Sequence, residues 1–180
     1  MRRARSNVET IYARLKAARY RFDQPERAWV PAIPADADDV RTIEAKAGPL
    51  PLSLRAWYEI VGSVCWTSSD PVWREADPLV IAPVRSIRDW CENEYEDAAE
   101  PFAMELSGDR FHKSGFSGGS YSISCGSPCA DALIEGYFPL SLFVPYLRVC
   151  FRNGGFAGCQ DPEVGDEALL RSLATGLLEI

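Results

Sequence analysis

Gly48-Pro49-Leu50-Pro51 stands between two stretches of helical periodicity and limits the fold more than any other feature. Upstream, Val40, Ile43 and Ala47 recur at i, i+3 and i+7, one stripe of a helix that Asp36 or Asp38 can cap. Gly48 supplies the left-handed residue past the helix end, and Pro49 forbids continuation. Downstream, Pro51 is tolerated in a first helical turn because its missing N–H would have no partner there. Leu54, Trp57, Tyr58 and Val61 then form a heavy apolar face, closed by Gly62. Trp57 and Tyr58 together have roughly 300 to 500 Å² to hide, more than a lone hairpin covers, so this helix is expected to lie against a main sheet.

On either side of this corner the chain reads as one α+β domain. Ser6 with Glu9 is a capping-box pattern, and Val8, Ile11, Tyr12, Leu15 and Ala18 predict a first helix over 7–20. Three prolines in 22–34 restrict any strand there to a short edge, anchored by Trp29 and Ile33. After Gly62, strands are expected over 63–67 and 79–81, then a helix capped by Ser86 that carries Ile87, Trp90 and Cys91. Residues 102–106 and 121–125 alternate as half-buried strands, with 132–134 a further strand. Helices over 141–153, starting a residue or two later because of Pro145, and over 166–179 complete the reading. The expected architecture is a single domain, with helices packed on a mixed, mostly antiparallel sheet. Its parts are an N-terminal helix and extended arm (1–35), a core (36–160) and a C-terminal helix (161–180).

A chain of 180 residues buries about 70% of its unfolded surface, and 47% hydrophobic with 25% charged residues is ordinary for a globular protein. No run approaches the ~20 apolar residues of a membrane span, and the basic start MRRARSNVET lacks the apolar stretch of a secretory signal. The cytoplasm is therefore the expected compartment, and the six cysteines are expected as reduced thiols. The net charge of −7 is uneven. Eight acidic residues and no basic one lie between Asp89 and Asp109, so this window carries −8, whereas the first 21 residues carry seven basic residues against Glu9 alone. Those N-terminal cations are read as a solvated face. Net acidity speaks against direct nucleic-acid binding, which calls for a basic stripe.

Four separated stretches resemble one family, the SUKH superfamily of Smi/Knr-type proteins. They are IEAKAGPLPLSLRAWYEIVGSV, ADPLVIAPV, HKSGFSGGSYSI and FVPYLRVCFRNGGFAG, which together span 43–158. The resemblance implies a single α+β domain of helices on a sheet, without a catalytic constellation or cofactor. It also implies a role as a bacterial immunity protein that binds a cognate toxin, or as a regulatory scaffold like the fungal cell-wall relatives.

Reactive chemistry has few candidates. His112 is the only histidine, so an enzyme using Cys125 or Cys129 with a base must use it. Its place beside Lys113 and Ser114, ahead of a glycine turn, reads as an exposed hairpin position. Cys125-Gly-Ser-Pro-Cys129 has the spacing of a zinc half-site, but a structural site needs two more ligands and the remaining cysteines are isolated. SGFSGGS lacks the Gly-Lys-Ser/Thr ending of a phosphate loop and is followed by a strand, so it reads as a turn. No catalytic or metal residue is assigned. The acidic window is the candidate partner-binding surface. Glu92, Glu94, Tyr95, Glu96 and Asp97 beside Trp90 combine anionic groups with aromatic anchors, as a steered interface with a basic partner requires. A plain solvated loop is the alternative. Trp73, in its Pro-bounded loop, is a second candidate anchor, with burial in the core as the alternative.

Overall fold

The computed structural model describes residues 1–70, 73, 77–96, 100–108, 120–157 and 167–180. Its helices are α1 (Arg2–Ala17), α2 (Pro34–Ala47), α3 (Leu52–Ile60), α4 (Val84–Glu94), α5 (Phe143–Arg152) and α6 (Glu167–Ala174). Its strands are β1 (Trp29–Pro31), β2 (Gly62–Cys65), β3 (Val80–Ile81), β4 (Ala103–Ser107), β5 (Tyr121–Ser124), β6 (Leu133–Ile134) and β7 (Ser141–Leu142). The fold is α+β, as expected from the pattern.

The strands lie side by side in chain order. Ladders join β1 to β2 to β3, β4 to β5, and β6 to β7. The amide of Ala82 donates to Leu106 O at 2.7 Å, which ties β3 to β4, and Ser122 exchanges two backbone bonds with Glu135, which ties β5 to β6. Every ladder among the described residues is antiparallel, in keeping with the expected mostly antiparallel sheet.

Alternation decides which face of the sheet is covered. Met104, Leu106, Tyr121, Ile123 and Ile134 point inward and are buried, while Glu105, Ser124 and Glu135 point out. The inward residues join Val8, Ile11 and Leu15 of α1, Leu54 and Trp57 of α3, and Tyr146, Leu147 and Phe151 of α5 in one continuous core. Two glycines of the quoted motifs are forced by close approach. At Gly62 (φ +96°) a Cβ would lie 2.2 Å from Val30 O across the β1–β2 pair. At Gly155 (φ +102°) it would lie 2.3 Å from the buried Trp66 ring, while the Gly155 carbonyl accepts from Leu79 N–H at 2.8 Å.

Four expectations are corrected. Helix α1 starts at Arg2, so Ser6 lies inside it and its hydroxyl donates to Arg2 O instead of capping. Helix α2 starts at Pro34, earlier than a cap at Asp36 or Asp38 implies, although Asp36 does cap that end from the first turn by accepting from Ile33 N–H at 2.9 Å. Ile33 is exposed and anchors nothing, whereas Trp29 does, donating from its indole to Val61 O at 3.2 Å. Pro83, and not Ser86, precedes α4, since proline at the helix edge has no N–H to leave unpaired.

The basic face of α1 is also not merely solvated. Arg14 donates to the carbonyls of Ser172, Leu173 and Thr175 at 2.7 to 3.1 Å, closing the C-terminal end of α6. Arg3 reaches Glu179 O at 3.1 Å. Buried Asn7 uses both ends of its amide: Nδ2 donates to Leu178 O at 2.8 Å, and Oδ1 accepts from Leu178 N–H at 2.7 Å. The first and last segments of the chain are thereby stitched together. Asn7→Asp should be destabilised by about 2 to 3 kcal/mol, since a carboxylate cannot donate to Leu178 O and is buried there beside it. Urea unfolding of the variant reports the loss, and an unchanged midpoint would contradict the assigned role.

Candidate binding surface

The candidate surface is built on α4, which packs against α2. Buried Val84, Ile87 and Cys91 fix its inner stripe and leave Trp90, Glu94 and Ser86 facing out. Acidic residues at a helix C-terminus oppose its dipole, so the run after Trp90 needs a counterweight. Lys46, in the last turn of α2, provides it. Its ammonium donates to the carbonyls of Cys91 (2.7 Å) and Glu92 (3.0 Å), two of the last four carbonyls of α4, which have no helical partner. One turn earlier, Arg88 pairs with buried Asp39 of α2 at 2.6 Å and also holds Asp89 and Glu92. Arg88 thus neutralises the carboxylates nearest the core.

What remains exposed is aromatic and acidic. Trp90 is 44% exposed, and its other side lies over the buried Phe102 ring with centroids 4.9 Å apart. Tyr95 meets the same ring edge-on at 5.0 Å and donates its hydroxyl to Glu100 O at 2.8 Å. Phe102 is therefore a fixed hub that holds two aromatic side chains in place, at small entropic cost to a binding event. Around them, Glu94, Glu96, Glu100 and Glu105 are exposed and make no ion pair among the described residues. Beside Trp90, Ala82, Ser86, Ile87 and Glu105 line a groove of about 260 Å³ between α4 and the open face of the sheet. A second groove of about 190 Å³ shares Ala82, Ser86 and Glu105 and runs on across β2 and β3 toward Arg27.

Of the predicted partner residues, Trp90, Glu92, Glu94, Tyr95 and Glu96 come together at the C-terminal half of α4. Asp97 lies outside the described residues. Trp73 is corrected: it is 8% exposed, stacked on buried Phe156 at 4.8 Å with Tyr20 against it at 5.3 Å, and so belongs to the core. Of the groove residues, Ala82 and Glu105 were not singled out for binding in the sequence, and Ser86 was read only as a helix cap. Ser86 lies four residues before Trp90 on a helix, which was a legible signal, but Glu105 arrives from another strand.

Of the reactive candidates, only Cys125 and Cys129 fall among the described residues. His112 and Cys159 lie outside the described residues. Cys125 is buried, and that burial pushes its thiol up to about 12, while Cys129 is exposed, so the two are not presented as a pair. Burial likewise raises the thiols of Cys91 and Cys150. Because these thiols are raised relative to the unfolded chain, their contribution to stability is complete at neutral pH. For Cys125 it is lost as pH climbs from about 9 toward about 12. Iodoacetamide at neutral pH should alkylate Cys129 quickly and leave Cys91, Cys125 and Cys150 intact until the chain unfolds. Peptide mapping that found Cys125 labelled as fast as Cys129 would contradict this.

The Lys46 contact makes a separate prediction. Lys46→Met should leave the fold in place, cost about 1 kcal/mol, and raise amide exchange selectively near the end of α4. Exchange that rose evenly over the chain, or not at all, would show that Lys46 does not hold this end.

Set against family models, curated proteins and solved structures, the chain finds no match in any of the three comparisons.

Proposed function

We propose that this protein is a non-enzymatic binding module, an immunity protein of the bacterial cytoplasm that neutralises a cognate toxin by direct contact through the α4 surface. The observation that carries this reading is a half-exposed tryptophan, seated on a buried ring and rimmed by four exposed carboxylates that make no ion pair among the described residues. Interface hot spots are enriched in tryptophan, and carboxylates around one raise the encounter rate with a basic partner while adding less to final affinity. A nuclease-like toxin, itself basic because it holds nucleic acid, fits that rim. No helix among the described residues is long and apolar enough to cross a membrane, which agrees with a partner met in water. The SUKH-type motifs point to the same class of role.

The alternative of a small enzyme using Cys125 or Cys129 with His112 draws less support, since a buried thiol raised to about 12 is a poor nucleophile at neutral pH. A regulatory scaffold would use the same surface with several partners instead of one.

Co-purification with the product of the neighbouring gene identifies the partner. With the pair in hand, Trp90→Ala should weaken binding by about 2 kcal/mol, close to thirty-fold, mainly through faster dissociation. Glu94→Lys with Glu96→Lys should slow association about tenfold at low salt and lose that effect near 0.5 M salt, where screening is strong. Association indifferent to both salt and these charges would remove the electrostatic part of the proposal. A complex untouched by Trp90→Ala would remove its location.

A further inference from the structure

Away from α4, the opposite end of the sheet carries a second surface with no acidic character. Leu133 of β6 stands directly across from Leu142 of β7 in the ladder, and each is 44% exposed. The loop that joins these strands carries Phe138 and Leu140, 85% and 70% exposed. Tyr137, just before Phe138, turns inward, with its ring packed edge-on against Tyr121 at 5.4 Å and Tyr146 at 4.9 Å. The hairpin is thus pinned from beneath by one aromatic side chain while its largest apolar groups face water. Strand β7 is outermost and pairs only with β6 among the described residues.

From the structure we infer that this hairpin is a self-association surface, whose occupant is the same hairpin of a second copy of the chain. Three observations select that occupant. First, residues 136–147 carry no charge, and the adjacent Glu135 carboxylate is engaged by Ser124 Oγ at 2.7 Å, so two molecules of net charge −7 can meet here without opposing their carboxylates. A basic partner finds no counter-charge on this patch. Second, the patch has two parts, a floor of Leu133 and Leu142 and a tip of Phe138 and Leu140. A two-fold axis sets each tip on the other copy's floor, the reciprocal pairing that an isologous interface requires. Third, the four side chains expose on the order of 400 Å² of apolar surface per copy, as large as the patches that mark functional sites on monomers. Doubled, this supplies the apolar centre of an interface of about 1,200 to 2,000 Å² in total, the size of a stable dimer. The α4 surface is a separate one, so a dimer would present two copies of it.

Sedimentation velocity over about 1 to 200 µM brackets the micromolar dissociation expected of such an interface. The mass should rise from 20.0 kDa toward twice that value with concentration. Phe138→Asp and, separately, Leu140→Asp should each weaken the dimer at least tenfold with an unchanged melting temperature of the monomer, since both side chains lie mostly in water. Trp90→Ala should leave the dimer untouched, which separates this surface from the α4 surface. Three results would overturn the inference: a monomer at every concentration, dimers that persist in both variants, or a monomeric chain whose Phe138→Asp variant loses a foreign partner instead.

Discussion

The candidate surface depends on how α2 grips α4. Asp39 and Lys46, two turns apart on α2, meet Arg88 and the last carbonyls of α4 respectively. The first contact is a half-buried ion pair, and the second is an ammonium placed at the negative end of a helix dipole. Without the second, a helix ending in Glu92, Asn93 and Glu94 would carry like charge at its own negative pole. With it, the helix persists to Glu94 and projects its carboxylates outward. Asp39 and Lys46 thus allow an acidic helix end to exist as an ordered surface.

The rest of the molecule supports that arrangement by covering one face of a sequentially ordered sheet. Helices α1, α3 and α5 contribute to the single core against the inner face, and the outer face keeps Glu105, Ser124 and Glu135 in water. The final segment is bound to α1 by hydrogen bonds from Asn7 and Arg14 to its backbone, in addition to the apolar packing of Leu173 in the core. Grooves open where the sheet is uncovered, beside Trp90 and across β2 and β3.

Much of this was legible in the residues. The Gly48-Pro49-Leu50-Pro51 corner, the apolar faces of α2, α3 and α5, and the alternating strands β4 and β5 are local patterns that a single sequence displays. Helix starts were misread at Ser6 and Ser86 because polar capping residues also occur inside helices, and Pro34 and Pro83 mark the starts of α2 and α4 through their fixed backbone geometry. Trp73 was ambiguous because a polar loop says nothing about which ring it stacks on, and Phe156 lies 83 residues downstream. Lys46 and Asp39 carried no signal at all, since their role depends on a helix more than forty residues away. The acidic-aromatic cluster was visible because it is contiguous, whereas its groove was not, because Glu105 joins it through the sheet.

The central claim is that the protein acts through the ordered outside of α4 and not through a reactive pocket. Amide exchange of the chain, free and bound to its partner, tests it most directly. The account predicts that protection on binding concentrates on residues 84–96 and on the neighbouring parts of β3 and β4. Protection confined to other elements, with the amides of α4 exchanging at their free-state rates, would contradict it.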